Sequence, residues 1–173
     1  MCSRLVRRDQ ALHARFEAIA AFAQRLLVGE EKSEPFGRHG EEPAVLGFPD
    51  ARALRLRLAR DVEALLQRGY RSIGILTRTA REARELSLFL KGAAKAILCE
   101  DDAYESGAVV MPVYLAKGLE FDAVLVYEAG NGNYAREEER LLLYTACTRA
   151  LHMLQLYHTG EYTPLLAKGE DGA

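Results

Sequence analysis

Two apolar runs, residues 108–114 and 121–127, constrain this chain more than any other feature of its sequence. Each run is long enough for one β-strand and contains almost no polar residue, so both faces of each strand must be covered. Strands of this kind occur in parallel sheets with helices on both sides, whereas a half-exposed strand alternates apolar and polar residues. The two runs therefore predict a central parallel sheet.

Strand and helix patterns alternate along the rest of the chain. Asp50 stands where a helix N-cap is expected, and Thr79 with Glu82 has the form of a capping box. This alternation predicts an α/β domain with a mainly parallel sheet. The other predicted strands are residues 44–48, 72–76, 94–99 and 151–157, and the predicted helices are 10–27, 50–68, 79–92 and 134–150.

The composition is that of an ordinary soluble protein. The 173 residues suit one domain, with a polar loop at 29–43 and frayed ends at 1–9 and 167–173. A net charge of -2 excludes a generally basic nucleic-acid coat, so contact with nucleic acid must be local. No apolar run approaches the roughly 20 residues that span a bilayer, and no signal peptide is visible, so we predict a cytoplasmic protein without a membrane partner. The three cysteines and four histidines show no metal-ligand spacing, and we predict no metal site in this chain.

A polar cluster, Lys117, Gly118 and Glu120, lies between the two apolar runs. Because ligands bind outside the carboxyl ends of parallel strands, we expect this loop at that edge of the sheet. Gly118 permits a tight turn, and the Glu120 carboxylate is an acceptor suited to sugar hydroxyls. The structural alternative for Glu120 is an ion pair with Lys117.

A second polar cluster, Thr148 and Arg149, ends the predicted helix 134–150. Arg140, Tyr144 and Thr148 share one helix face at i, i+4, i+8 spacing. The Arg149 guanidinium is always charged and offers a planar fork that matches phosphate oxygens. An arginine that favours the dipole at the helix C-terminus is the structural alternative.

These two clusters carry a family resemblance. Ala-Lys-Gly-Leu-Glu-Phe-Asp (residues 116–122) and Glu-Glu-Arg-x-Leu-Leu-Tyr-x-x-x-Thr-Arg-Ala (residues 138–150) resemble motifs V and VI of superfamily 1 helicases of the UvrD/Rep type. The variant looks closest to the helicase-IV-like branch that includes HelD, an ATP-driven factor acting on RNA polymerase. In that family both motifs lie in the second RecA-like domain, a three-layer domain of the P-loop NTPase type.

The resemblance implies ATP with Mg²⁺ as the cofactor and assigns roles to residues. It implies that Glu120 binds the ribose and that Arg149 contacts the γ-phosphate as an arginine finger. Expected cofactor-binding residues are Lys117, Gly118, Glu120, Arg140 and Thr148. The chain has no Gly-x-x-x-x-Gly-Lys-Ser/Thr motif and no acidic pair for Mg²⁺. The metal ligands are therefore expected on an N-terminal RecA-like domain of the same longer chain, and the fragment alone is expected to be inactive.

Three residues are candidates for nucleic-acid contact: Tyr114, Thr77 and Arg78. Tyr114 stands near the place where many relatives carry a histidine that approaches single-stranded DNA, and its ring could stack on a base. A buried tyrosine at a strand end is the alternative for Tyr114, and a solvent-facing loop is the alternative for the other two. The motif IV Tyr-Arg-Ser signature is missing. Arg15 or His13 is the candidate to replace its arginine, against the alternative of solvated residues at a helix start.

The resemblance thus favours the C-terminal motor domain of an ATP-dependent DNA helicase or translocase that acts on single-stranded DNA. A second hypothesis is a HelD-like factor that binds and recycles RNA polymerase without unwinding a duplex. It is favoured by the motif variant and by the short segment between Gly92 and Ala108, where UvrD and Rep insert an accessory domain. A third is a free-standing nucleotide-binding domain with degenerate motifs.

Overall fold

The computed structural model describes residues 17–27, 42–100, 102 and 106–167. Its elements follow one another as helix α1 (17–24), strand β1 (Ala44–Phe48), helix α2 (Ala51–Gln67), strand β2 (Ser72–Thr77), helix α3 (Ala80–Leu90), strand β3 (Lys95–Ala96), strand β4 (Gly107–Pro112), a 3₁₀ helix (Val113–Ala116), strand β5 (Phe121–Val126), helix α4 (Glu137–Cys147), strand β6 (Ala150–Thr159) and helix α5 (Pro164–Ala167).

The six strands form one sheet in the order β1-β6-β5-β2-β4-β3. Every pair of neighbouring strands is parallel. The central strand β2 pairs along its full length with β4, from Ser72 opposite Gly107 to Thr77 opposite Pro112. This confirms the α/β class and the parallel sheet that the apolar runs predict.

Helices cover both faces of the sheet. One buried cluster joins β4, β5 and β6 to α1, the 3₁₀ helix, α4 and α5. The other joins the opposite side of β2, β4, β5 and β6 to α2 and α3. The domain therefore has three layers, and its central strands are buried on both sides, as their continuous apolar sequences require.

Helix N-caps occur where the sequence predicts them. Asp50 Oδ1 accepts a hydrogen bond of 2.7 Å from the backbone N–H of Ala53 at the start of α2. At the start of α3, Thr79 Oγ1 accepts from the N–H of Glu82, and Glu82 Oε2 accepts from the N–H of Thr79. The predicted capping box is confirmed, and it fixes where the chain turns after β2.

Several predicted boundaries are wrong. The strand expected at 94–99 is reduced to β3, two residues long. The helix expected at 134–150 begins at Glu137 and ends at Cys147, and Ala150 already belongs to β6. Residues 1–9, 13, 15 and 168–173, and almost all of the predicted loop 29–43, lie outside the described residues, as does the first part of the predicted helix 10–27.

The strand predicted at 108–114 ends at Pro112, and the chain continues as the 3₁₀ helix. Residues 113–120 must return from the carboxyl end of β4 to the amino end of the parallel strand β5, passing β2. A six-residue strand is about 20 Å long, whereas eight residues of α-helix would span only about 12 Å. The chain covers the distance with the 3₁₀ helix, which rises about 2.0 Å per residue, and a turn in which the N–H of Leu119 donates to the carbonyl oxygen of Ala116.

None of the helices in the described part of the chain is both long enough and apolar enough to cross a membrane.

We predict that Thr79→Ala lowers the free energy of unfolding by about 1 kcal/mol, because it removes the hydroxyl that satisfies the N–H of Glu82. Denaturant unfolding of the 173-residue chain measures the change. Ser87→Ala in the same helix is the control, since the Ser87 hydroxyl donates only to the carbonyl oxygen of Arg84 within its own helix. Equal losses in the two variants would contradict a capping role for Thr79.

Candidate nucleotide-binding site

The C-terminal ends of the two motifs meet at the amino edge of the sheet. Glu120 directly precedes β5, and Arg149 directly precedes β6. Our expectation that Glu120 lies at the carboxyl edge is therefore wrong. The loop does leave β4 at that edge, but because β5 is parallel to β4 the chain has returned to the opposite edge by Glu120.

Two hydrogen bonds hold Arg149 against the segment that contains Glu120. The backbone N–H of Phe121 donates to the carbonyl oxygen of Arg149 at 2.9 Å. The Arg149 Nη1 donates to the carbonyl oxygen of Leu119 at 3.3 Å. Because Leu119 and Phe121 flank Glu120 on either side, the backbone of Glu120 lies between two contacts to Arg149. The structure brings together the two residues expected to bind ribose and phosphate.

Among the described residues, the half-buried guanidinium of Arg149 donates hydrogen bonds only to neutral oxygen atoms. Its Nε donates to the carbonyl oxygen of Thr145, and its Nη2 donates to Thr148 Oγ1, both at 3.3 Å. Within the described ranges, no carboxylate lies within 4.0 Å of this side chain. Arg149 is thus oriented by the end of α4, but its positive charge is not neutralised by an ion pair, which leaves it able to bind an anion.

Lys117, Gly118 and Glu120 are all exposed at this edge. Gly118 has φ +83°, in the left-handed region that favours glycine, which explains the glycine in this tight turn. Where the structure describes the chain, Lys117 and Glu120 form no ion pair within 4.0 Å. The structural alternative for Glu120, a pair with Lys117, is therefore absent, and its carboxylate is open to solvent.

Thr148 is the C-cap of α4 and links the helix to Arg149. Its hydroxyl donates to the carbonyl oxygen of Thr145 and accepts from Arg149. Since Arg149 follows the last turn of α4, the favourable interaction with the helix dipole also holds. That interaction is compatible with phosphate binding, because both roles use the same exposed end of the helix.

Arg140 lies away from these residues, although the sequence places it in the same motif. Its side chain is buried, and Nη1 donates to the carbonyl oxygens of Leu26 at 2.9 Å and Leu165 at 3.1 Å. Nine residues separate it from Arg149, which corresponds to about 13 Å along a helix. The Arg140 guanidinium ties α1 and α5 to the start of α4, and it does not face Glu120.

The three candidates for nucleic-acid contact lie at the opposite, carboxyl edge. Tyr114 stands on the 3₁₀ helix after β4 and is 55% exposed, which excludes the alternative of a buried strand-end tyrosine. Thr77 is fully buried, and its hydroxyl donates to the carbonyl oxygen of Thr79 at 2.9 Å, so its side chain does not reach the surface. Arg78 is half-buried and pairs through Nη2 with Glu139.

Glu139 organises this edge, a role that the sequence analysis missed. Its Oε2 accepts from the backbone N–H groups of Ala135 and Arg136, and its Oε1 accepts from the side chains of Arg78 and Arg136. Burial raises the pKa of Glu139, but these hydrogen bonds outweigh it and lower the pKa from 4.5 to about 2. The detectable signal was a glutamate in the first turn of a helix, three residues after its N-cap.

Asp122 was also missed, although it ends the first motif. Its Oδ2 accepts from the backbone N–H groups of Arg71 at 2.9 Å and Ser72 at 3.0 Å. In return its own N–H donates to Ser72 Oγ at 2.8 Å. These bonds join the amino ends of β2 and β5, directly after Glu120.

No group of three or more His, Cys, Asp or Glu side chains that could hold a metal ion occurs among the residues that the structure describes. The exposed motif residues at the amino edge include one carboxylate, Glu120, and Mg²⁺ sites in proteins draw on carboxylates together with substrate phosphates. The donor set of this edge suits the sugar and phosphate of a nucleotide better than a metal ion.

The low pKa of Glu139 makes stability depend on pH in a defined window. Because the folded pKa lies below the unfolded value, the ionised form stabilises the fold fully above pH 4.5, and this contribution is lost as the pH falls towards 2. We expect the free energy of unfolding to fall by up to about 1.4 kcal/mol per pH unit from this group. Glu139→Gln should remove that component in urea titrations between about pH 5 and about pH 3. If the free energy of unfolding had the same pH dependence in the variant and in the parent chain, the contribution assigned to Glu139 would be contradicted.

Comparisons with known proteins show the family and the fold of this chain. A family model for the UvrD-like helicase C-terminal domain matches residues 107–157, which run from β4 through α4 into β6. The crystal structure of the C-terminal domain of a possible DNA helicase from Lactobacillus plantarum WCFS1 is 33% identical, with a TM-score of 0.75 over 89% of this chain and 91% of that chain.

Two structures of the PRRSV helicase nsp10 are more distant. They are 15% and 14% identical, with TM-scores of 0.47 and 0.46, over 83% and 86% of this chain and 28% and 30% of theirs. No curated protein sequence matches this chain significantly. The 33% identity along nearly the whole length of a helicase C-terminal domain decides the assignment: the chain belongs to the UvrD/Rep-type superfamily 1 helicases and is a RecA-like C-terminal domain of that family.

Proposed function

We propose that this domain forms one wall of the ATP site in an ATP-dependent superfamily 1 DNA helicase or translocase. The opposite wall belongs to an N-terminal RecA-like domain of the same longer protein. One observation carries the proposal: the Arg149 guanidinium has no carboxylate partner in the described part of the chain and is held beside the exposed Glu120 by its bond to Leu119.

Each side chain at this edge has a task that its chemistry suits. The Glu120 carboxylate accepts hydrogen bonds from the ribose hydroxyls of ATP. The Arg149 fork binds the γ-phosphate and stabilises the charge that develops on it during transfer to water. Thr148 orients Arg149 through its hydroxyl. Gly118 turns the backbone so that Lys117 and Glu120 are both presented at the surface.

The Mg²⁺ ion that accompanies ATP neutralises phosphate charge during phosphoryl transfer. Its ligands belong to the N-terminal domain in this proposal, since the described residues of this chain offer no metal cluster. The phosphate-binding loop is expected there too. The isolated chain should therefore hydrolyse no ATP, because it holds only the sugar and terminal-phosphate contacts.

We predict that Arg149→Ala in the full-length protein lowers the ATP turnover rate by about 10³-fold or more, because charge on the transferred phosphoryl group is no longer stabilised. ATP binding, measured with a fluorescent analogue, should weaken far less than turnover. Arg149→Lys should recover only part of the rate, since an ammonium keeps the charge without the planar fork.

The matched control is Arg84→Ala, which removes an exposed arginine from α3 on the other face of the sheet. This variant should keep the parental rate. Near-normal turnover in the Arg149→Ala protein would remove the arginine-finger assignment, whatever its effect on binding.

The carboxyl edge is the proposed contact with single-stranded DNA. The exposed Tyr114 ring is available for stacking on a base, and Arg78 stands at the end of the neighbouring strand β2. Thr77 has no part in this surface because it is buried. Nucleotide and nucleic acid would thus meet the domain at opposite edges of one sheet.

We predict that Tyr114→Ala weakens binding of a single-stranded oligonucleotide to the full-length protein by about 5- to 150-fold, which corresponds to roughly 1–3 kcal/mol of stacking. Fluorescence anisotropy at fixed salt measures the affinity. Tyr114→Phe keeps the ring and should bind like the parent. A Phe variant as weak as the Ala variant would show that the hydroxyl, and not stacking, makes the contact.

The RNA polymerase alternative rests on the motif variant and on the short segment between Gly92 and Ala108, and neither the fold nor the family match adds support to it. DNA is therefore the proposed partner, and a strand-separation assay with the full-length protein distinguishes the two. The DNA helicase proposal predicts ATP-dependent unwinding or translocation in the absence of RNA polymerase.

A further inference from the structure

We infer that Gly74, in the middle of β2, is a positioning residue for the proposed ATP site and acts through the ring of Phe121. The inference rests on the proposed function, because it concerns how Glu120 and Arg149 are held in place. It assigns a role to a glycine that lies outside both sequence motifs and on a different strand from either residue.

The ring of Phe121 lies directly on the backbone of Gly74. A Cβ atom added at Gly74 would stand 2.7 Å from Cδ2, 2.8 Å from Cγ and 2.9 Å from Cε2 of Phe121. Real Cβ atoms essentially never approach another heavy atom that closely, so any side chain at this position must displace the ring. The steric contact with Phe121 is the reason for a glycine here, because Gly74 does not have a positive φ that would itself favour glycine.

The Phe121 ring has no room to move away from the sheet and from an added Cβ at Gly74. It is fully buried and belongs to the same cluster as Ala116 of the 3₁₀ helix and Ala146 and Cys147 of α4. Protein interiors are close-packed, so a displaced ring transmits its shift to its own backbone. An added methyl group at Gly74 would therefore move the start of β5.

The start of β5 carries the contacts that hold Glu120 beside Arg149. The N–H of Phe121 donates to the carbonyl oxygen of Arg149, and the guanidinium of Arg149 donates to the carbonyl oxygen of Leu119. A shift of Phe121 consequently changes the position of Glu120 relative to the Arg149 fork. Misplacement of a catalytic group by about 1 Å costs about 10²-fold in rate, even when the mutation is remote.

The strand geometry is irregular at Phe121. The register between β5 and β6 shifts between Phe121 and Ala123, so that Asp122 stands opposite two residues of β6. Phe121 then shares a buried cluster with Val124, whereas a regular strand would point these two side chains to opposite faces. A glycine inside a strand is unfavourable in itself and often marks a place where another group approaches closely.

The test compares Gly74→Ala, Phe121→Leu and the double variant in the full-length protein. Gly74→Ala should lower the kcat of ATP hydrolysis by about 10- to 100-fold while oligonucleotide affinity stays within about twofold, since Tyr114 is at the other edge. Phe121→Leu shortens the ring side chain and leaves room for a methyl group. The double variant should therefore regain the kcat of Phe121→Leu alone.

The control is Gly47→Ala in the edge strand β1, where the added Cβ would meet only the end of the His158 side chain, at 3.2 Å. That variant should keep the parental kcat. Parental kcat in Gly74→Ala, or a folded double variant slower than Phe121→Leu, overturns the positioning role.

If Gly74→Ala does not fold, the double variant decides alone: refolding with the kcat of Phe121→Leu supports the inference, and failure to fold overturns it. The Arg149→Ala variant separates this result from the proposed function. A slow Arg149→Ala variant together with a normal Gly74→Ala variant removes only the role of Gly74, whereas normal rates in both variants also remove the arginine-finger assignment.

Discussion

The eight-residue return from β4 to β5 is the constraint on which this structure depends. Residues 113–120 must pass β2 and cover the length of a strand, for which eight residues of α-helix are too short, and they form a 3₁₀ helix followed by a turn at Gly118. The return delivers Glu120 to the amino edge of the sheet, beside the residue that leaves α4 and enters β6. The hydrogen bonds that Leu119 and Phe121 form with Arg149 then fix the backbone of Glu120 relative to Arg149.

The helix α4 links the two edges of the domain. At its start, Glu139 pairs with Arg78 from the end of β2, near the exposed Tyr114. After its end, Thr148 and Arg149 stand at the proposed nucleotide site. Eleven residues of helix span about 16 Å. In the proposed motor, one rigid element therefore connects the surface that contacts DNA with the arginine that contacts ATP, which gives ATP hydrolysis a direct structural route to the DNA surface.

The sequence predicts the layers of this domain better than its edges. The apolar runs and the capping box at Thr79 depend on neighbouring residues, and both are confirmed. The edge assigned to Glu120 was wrong because the loop was placed by the strand that it follows, whereas Glu120 directly precedes β5, and the start of a parallel strand lies at the opposite edge from the end of β4. Helical periodicity grouped Arg140 with Thr148, and the family resemblance placed both at the cofactor, but the partners of Arg140, Leu26 and Leu165, come from distant parts of the chain. The contact of Gly74 with Phe121 is likewise invisible without the fold.

The central claim is that Glu120 and Arg149 face one bound nucleotide across a cleft closed by a second RecA-like domain. The most direct measurement is a structure of the full-length protein with a non-hydrolysable ATP analogue and Mg²⁺. We expect an Arg149 nitrogen at about 3 Å from a γ-phosphate oxygen and a Glu120 carboxylate oxygen at a similar distance from a ribose hydroxyl. A nucleotide bound with both side chains directed into solvent would contradict the claim.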